Sequence, residues 1–292
     1  MSLKRLLCLV SVLGFVGSAW AGWEFTSVTK AESKQRGADQ MNSTVHAFLN
    51  GDKSRVEFTE GKNPGMEKGG YLITEDGGKT CYMVHPKDKT YMKWDMEQMA
   101  NVAGQATKMM QMKVTDPKVE KLLEEKGEKI AGFPTTHYRY RISYAMEMSI
   151  FGMKSSQANV QDHDVWSTSD VGDLGIAFWV KKGGVKMGDE SLDKLMKAQM
   201  DQVKGFPLKQ VTVMSSKDGK GNENVTKTTM EVTEIKKASP AEDLFKIPAG
   251  YKETSMFGNA GDQGEGEGGE GKDKAKSAPE NPFLKLFQNK GK

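Results

Sequence analysis

The sequence predicts an α+β protein in which a strongly curved antiparallel sheet is accompanied by two or three helices. One long stretch, residues 137–151, alternates between apolar and polar side chains. Shorter strand-like segments separated by turn residues precede it. Segments with helical spacing of apolar residues lie on both sides of it, at about 95–127 and 189–203. Runs of strands with helices grouped between them are typical of the α+β class.

The long stretch is predicted to be a single strand with one buried face and one solvated face. Its even positions are apolar or aromatic, whereas most of its odd positions are polar. The even series is Tyr138, Tyr140, Ile142, Tyr144, Met146, Met148 and Ile150. Side chains alternate between the two faces of a strand, whereas a helix would scatter them around its axis. At about 3.4 Å per residue the strand would extend for roughly 50 Å, so it has to twist and bend.

The segments before the long strand predict an antiparallel meander. They are residues 23–30, 43–50, 54–60, 71–74, 80–85 and 89–94. Turn residues separate them, as in Gly51-Asp52-Lys53 and Glu75-Asp76-Gly77-Gly78, and such spacing is typical of hairpins. After the long strand, a polar connection is expected over 152–159. Further strands are expected over 161–168 and 176–180, through 211–213, and over 224–236.

Three helices are predicted from capping residues and apolar spacing. The first begins at Asp95, which can cap the helix with Gln98 as its capping-box partner. The second begins at Asp116-Pro117, with proline at its favoured first position, and ends near Gly127. The third covers 189–203. The apolar stripes are Met96, Met99, Ala103 and Met110 in the first helix, Val119, Leu122 and Leu123 in the second, and Leu192, Leu195, Met196, Met200 and Val203 in the third.

The amino terminus predicts export. Lys4 and Arg5 precede an apolar run over 6–16, and Ala19-Trp20-Ala21 follows as a small-x-small cleavage site. This order is that of a secretory signal peptide over residues 1–21, with cleavage expected after Ala21. The apolar run is too short to span a bilayer, and no other segment is apolar enough to do so. We therefore expect a periplasmic or secreted protein without a membrane span in its mature chain.

The mature chain is expected to form a single domain over 22–256, followed by a flexible tail over 257–292. Residues 258–276 are rich in Gly, Glu, Asp and Lys and show no apolar periodicity, so they cannot bury enough surface to fold. The tail ends in an apolar cluster at 282–287, which is either a docking segment for an envelope protein or a remnant without function. Residues 22–256 contain one cysteine, Cys81, which excludes an intramolecular disulfide.

Four segments carry a resemblance to a known family. They are Ala131-Gly132 followed by Tyr138, then Asp164-Val165-Trp166, Lys204-Gly205-Phe206-Pro207 and Leu244-Phe245-Lys246-Ile247-Pro248-Ala249-Gly250-Tyr251-Lys252. Together they resemble exported bacterial proteins of a domain-of-unknown-function family, the DUF4412 type, which is grouped with lipoprotein carriers of the LolA and LolB type. The resemblance implies a LolA-like half-barrel with helices packed on the concave side of its sheet. In the carriers, the space between sheet and helices holds acyl chains.

The first functional hypothesis is therefore an exported, non-enzymatic protein that binds a lipid, an acyl chain or another apolar ligand. The candidate lining consists of nine large side chains: Met92, Trp94, Tyr138, Tyr140, Ile142, Tyr144, Met146, Met148 and Trp166. Methionine is flexible and polarizable and suits surfaces that accept varied apolar ligands. Such a face is usually a filled core, and nothing in the sequence shows a cavity rather than a filled interior. No cofactor is implied.

Three alternatives belong to other classes. Clustered methionines such as Met109-Met110-x-Met112 could bind Cu(I), because thioethers suit soft metals. A partner-binding protein of the envelope would act through the tail. A hydrolase is disfavoured because no nucleophile-elbow or zinc-protease motif occurs, and Asp162-His163-Asp164 is the only dense polar cluster beside an aromatic residue. The net charge of +3 with interspersed signs shows no nucleic-acid footprint.

Overall fold

The described residues form one 12-stranded sheet, in the order β12-β6-β5-β4-β3-β2-β1-β11-β10-β9-β8-β7. The computed structural model describes residues 22–33, 38–61, 66–150, 153–171 and 190–255. The strands are β1 Gly22–Ser33, β2 Ser43–Asn50, β3 Lys53–Gly61, β4 Tyr71–Thr74, β5 Thr80–His85, β6 Thr90–Asp95, β7 Lys113–Lys126, β8 Thr136–Ile150, β9 Met153–Thr168, β10 Phe206–Asp218, β11 Glu223–Ala238 and β12 Lys252–Thr254. Neighbouring strands are antiparallel except β12 and β6, which are parallel. Among the described residues, no helix is both long and apolar enough to cross a bilayer.

The first strand of the sheet, β1, lies between an early strand and a late strand of the chain. The strands β1 to β6 form a meander, and β7 to β11 form a second meander. Strand β1 joins the two by pairing with β2 on one side and β11 on the other. The described strands do not close into a ring, because β7 and β12 lie at opposite ends of the order.

The long alternating strand is confirmed as β8, Thr136–Ile150. Its inward side chains Tyr138, Tyr140 and Ile142 are buried, and Ile142 is 1 % exposed. The alternation does not separate buried from solvated residues throughout, because His137 on the other face is also buried. The His137 ring stacks on the Trp166 ring, with 4.2 Å between the ring centroids. The polar segment 153–159, expected to be a connection, is instead the first half of β9.

The predicted helix over 116–127 is wrong, because this segment is strand β7 at the edge of the sheet. A bulge lies between Thr115 and Lys118, and Asp116 within it has a positive φ of 52°. Proline is tolerated in edge strands and bulges, where its missing N–H removes no ladder hydrogen bond. The many charged side chains of β7, with opposite signs interspersed, also suit an edge that must not pair with another chain.

The prediction of an α+β fold with two or three helices on the concave side is therefore wrong. The protein is mostly β, and two α-helices are described, α1 Met96–Met109 and α2 Glu190–Met200. Helix α1 begins at its predicted cap, since the Asp95 carboxylate accepts hydrogen bonds from the amides of Glu97 and Gln98 at 3.0 Å. It packs on β6, whereas α2 packs on β7 and its Leu195 on the β8–β9 face. Neither helix covers the central strands.

The carboxy-terminal segment covers the outer face of β3 to β6. The short 3-10 helix Glu242–Phe245 contacts β3, and β12 extends the sheet beyond β6. Ile247 and Tyr251 pack on a buried cluster of Tyr71, Ile73 and Val84. This part of the sheet therefore has apolar contacts on both faces.

The predicted signal peptide, the strand over 176–180 and the tail lie outside the described residues.

Candidate functional site

A pocket of about 500 Å³ lies on the inner face of the central strands. It is lined by Phe25, Ser27, Thr29, Met41, Ser43, Val45, Val56, Phe58, Phe206, Pro207, Gln210, Thr212, Thr228, Met230 and Val232. These residues come from β3, β2, β1, β11 and β10, with Met41 from the 3-10 helix Ala38–Met41. In a flat sheet β3 and β10 would be about 19 Å apart, four strand spacings. Because Phe58 and Phe206 line the same pocket, the sheet must curve around it.

The pocket has an apolar end and a polar end. Along β1 the inward residues run from Trp23 and Phe25 to Ser27 and Thr29, as alternation requires. Strand β2 keeps the same order, since Phe25 lies opposite Ala47 and Thr29 opposite Ser43. On β11 the apolar Met230 lies opposite Thr29, so one thioether reaches the polar end. Thr212 on β10 lies opposite Thr228 on β11. The hydroxyl groups therefore gather toward one end of the five strands.

Packed aromatic side chains close the apolar end. The rings of Phe25 and Phe206 meet edge to face at 5.4 Å, and those of Trp23 and Phe133 at 6.0 Å. Trp23 and Phe206 belong to a buried cluster that also includes Leu49, Leu208, Val232 and Ile235. Leu208 has no exposed surface. This end is a filled core, and the pocket begins where the core ends.

A chain of hydrogen bonds leads from the polar end across the sheet. The Gln210 Nε2 amide donates to Thr212 Oγ1 at 3.1 Å, and Thr212 Oγ1 lies 3.1 Å from His163 Nδ1. His163 Nε2 lies 3.2 Å from Gln161 Oε1, and the Gln161 amide donates to the Tyr144 hydroxyl at 3.4 Å. All of these bonds are satisfied together when His163 is neutral with its proton on Nε2. The Thr212 hydroxyl then donates to His163 Nδ1, and this hydrogen bond sets the orientation of the hydroxyl group.

His163 is 3 % exposed and stacks on Tyr140 at 4.6 Å between ring centroids. Burial lowers the pKa of His163 to about 4, although the carboxylates of Asp162 and Asp164 act in the opposite direction. Burial also raises the pKa of Tyr140 to about 12, while a hydrogen bond with Gln199 of α2 works against it. Both rings are therefore uncharged at neutral pH.

The cluster Asp162-His163-Asp164 is split between the two faces of the sheet. Asp162 pairs with Arg141, whose Nε donates to Oδ1 at 2.7 Å and whose Nη2 donates to Oδ2 at 2.9 Å. Asp164 accepts from Arg139 Nε at 2.7 Å and contacts His137 Nε2 at 2.7 Å. These ion pairs lie on the outer face, since strand neighbours alternate. The two aspartates and His163 consequently do not form a joint site.

The matching family is one of unknown function. Its sequence profile, described as "Domain of unknown function (DUF4412)", matches residues 34–251. The chain belongs to this family. The DUF4412 match extends from just before β2 to just before β12, so it includes four of the five strands that line the pocket. No curated protein matches the chain.

The nine side chains predicted as a ligand lining lie outside this pocket. Met92 and Trp94 pack beside it, in a cluster with Phe58, Met66 and Met83. Tyr140 and Ile142 pack with Val165 and with Leu195 of α2, and Tyr144 lies against them. Tyr138 is buried, Met146 and Met148 are half-buried, and Trp166 packs near the core of the apolar end. Contact of these nine with a ligand stays a prediction.

The structure also shows where the remaining reactive groups lie. Within the described part of the chain, no three His, Cys, Asp or Glu side chains come together as a metal site. Cys81 is a half-buried free thiol, and burial together with Asp76 raises its pKa, so it is protonated at neutral pH. Copper binding by the methionines stays a prediction.

Sequence reasoning missed the residues that line the pocket. Ser27, Thr29 and Ser43 lie in strands that were predicted, on the faces that alternation assigns to the interior. Their signal was the change from large apolar to small polar side chains along one face. That change indicates the polar end of a pocket only when β1 is known to pair with β11.

Proposed function

We propose that this protein is an exported, non-enzymatic binding protein that holds the hydrocarbon part of a lipid or another apolar molecule in the central pocket. The single observation that carries the proposal is the pocket itself. It is a cavity of about 500 Å³ with nine apolar side chains among its fifteen lining residues. Its size falls within the range of small-molecule sites, roughly 300–1,000 Å³.

The energetics of such a site are those of hydrocarbon burial. Each methylene transferred from water contributes about 0.8 kcal/mol, so a chain of several methylenes supplies useful affinity without covalent chemistry. Met41 lies half exposed at the pocket, and Met230 lines its wall. Their flexible thioether side chains can adapt to ligands of different shape.

Two expectations from the sequence agree with this proposal. The resemblance to LolA-type carriers implies a space against a curved sheet that holds acyl chains, and the pocket lies against the curved central strands. The leader over 1–21 would deliver the protein to the periplasm or the outside, where lipids and lipoproteins are handled. The pocket lies elsewhere than the ligand space expected from the sequence. The expected space lay between β8 and a covering helix, whereas the pocket is lined by β1 and the strands on both sides of it.

Substitution of Thr29 tests the proposal directly. Thr29→Trp places a large ring in the pocket from a half-buried strand position where aromatic residues are well tolerated. We expect an uncharged solvatochromic dye to bind the wild-type protein and to bind this variant at least about tenfold more weakly, because displacing two methylenes already costs about 1.6 kcal/mol. Fluorescence titration measures both affinities.

The matched control is Val28→Trp. Val28 is the preceding residue of β1 and points to the other face of the sheet. This variant should bind the dye as the wild type does. Absence of binding by the wild type, or equal losses in the two variants, would contradict a ligand site in this pocket.

A further inference from the structure

Among the described residues, the polar end of the pocket contains hydrogen-bonding groups but no charge. Six of the lining side chains are polar: Ser27, Thr29, Ser43, Gln210, Thr212 and Thr228. Among the described residues, no Lys, Arg, His, Asp or Glu side chain lines the pocket. The nearest ionisable group of the hydrogen-bond chain is His163, which is buried behind Thr212 and neutral.

Several of these hydroxyl groups have no hydrogen-bond partner among the described residues. Ser27 is 7 % exposed, and in the described part of the chain neither its Oγ nor the hydroxyls of Thr29, Ser43 and Thr228 make a hydrogen bond. A hydroxyl can both donate and accept. Four such groups at one end of an apolar cavity can satisfy the carbonyl or hydroxyl of a ligand, and leaving a ligand's polar group unpaired there would cost affinity.

An ionised head group finds no counter-charge among the described residues at this end. Moving a carboxylate or a phosphate out of water is costly unless a cation compensates for it. On the described strands β1 and β11, Lys30 and Glu231 are sequence neighbours of Thr29 and Met230, so alternation places these two charges on the face away from the pocket. The described residues therefore offer hydrogen bonds without the counter-charge that an anion needs.

We propose that the pocket accepts an uncharged amphiphile whose polar part is an ester, an amide or an alcohol, such as an acylglycerol. The hydrocarbon chain lies toward Phe25 and Phe206, and the ester or hydroxyl group lies among Thr29, Ser43 and Thr228. This inference rests on the proposed function, since it names the class of molecule that the same pocket takes.

The test compares ligands of equal chain length that differ in charge. Calorimetric titrations of the full-length protein at pH 8 would use a fatty acid, its methyl ester and the corresponding monoacylglycerol, all below their aggregation concentrations. We expect the two neutral molecules to bind at least about tenfold more tightly than the fatty acid anion. Equal or tighter binding of the fatty acid would overturn this inference while leaving the proposed function intact. Binding of none of the three would refute the proposed function itself.

A charge-introducing variant gives an independent test. Ser43→Lys should raise the affinity for the fatty acid by about tenfold, because a charge-assisted hydrogen bond then becomes available at the polar end. Thr44→Lys adds the same charge on the outer face of β2 and should leave that affinity unchanged. Thr29→Lys is the second inward variant, for use if Ser43→Lys does not fold. An equal gain in inward and outward variants would overturn the proposal, because it would show attraction outside the pocket.

Discussion

Replacement of Phe245 by alanine should lower the free energy of unfolding by about 3–5 kcal/mol, the usual cost of removing a buried phenylalanine. Phe245 has no exposed surface and is the largest of the fully buried side chains in the described residues. It ends the 3-10 helix that contacts β3. The Arg55 guanidinium donates to the carbonyl of Leu244 at 3.4 Å and lies 3.5 Å from the centre of the Tyr71 ring. Phe245 thus anchors the carboxy-terminal segment on the outer face.

Urea denaturation of the two proteins measures this difference. Lys246→Ala is the matched control, because Lys246 is the next residue and is exposed. Its effect should remain within about 0.5 kcal/mol. A loss below 1 kcal/mol for Phe245→Ala would show that the carboxy-terminal segment contributes little to the sheet.

The stability of the protein should fall as the pH is lowered from about 6.5 to about 4, and His163 should cause a large part of this fall. Burial holds the pKa of His163 at about 4 in the folded state, whereas an unfolded histidine titrates near 6.5. Between these values the unfolded chain binds more protons than the folded protein, so stability rises with pH and is complete above about 6.5. The separation of the two pKa values corresponds to roughly 3 kcal/mol.

His163→Gln removes the titrating ring while keeping hydrogen-bonding capacity near Thr212. Its free energy of unfolding, measured by denaturant titrations from pH 4 to 7, should change less over this window than that of the wild type. His85→Gln serves as the control, because His85 lies half-buried at the end of β5 and away from the chain of hydrogen bonds. If His163→Gln keeps the full pH dependence of the wild type, the assigned role of burial at His163 is wrong.

Local patterns predicted most strands and two helices but failed where tertiary context decides. The alternation over 137–151 was long enough to specify β8 almost to the residue. Residues 116–127 carried an apolar spacing compatible with a helix and a proline at a helix-like start. Their membership of an edge strand depends on pairing with β8 and on bulges that shift the register. Neither can be read from the segment alone.

The position of the pocket could not be predicted for a related reason. Phe25 and Phe206 are distant in sequence, and their rings meet only because β1 pairs with β11, which in turn pairs with β10. The aromatic and methionine side chains of β8 were the more conspicuous apolar face in the sequence. In the structure Leu195 of α2 packs against part of that face, whereas the smaller side chains of the central strands leave space.

Methyl NMR of the protein with a bound neutral amphiphile tests the central claim most directly. If the ligand occupies the pocket, the chemical shifts of the Val45, Val56 and Val232 methyl groups change, because all three line it. Those of Val165, which packs with Tyr140 and Ile142 below α2, remain in place. Changes centred on Val165, or no changes at saturating ligand, would contradict a ligand site formed by the central strands.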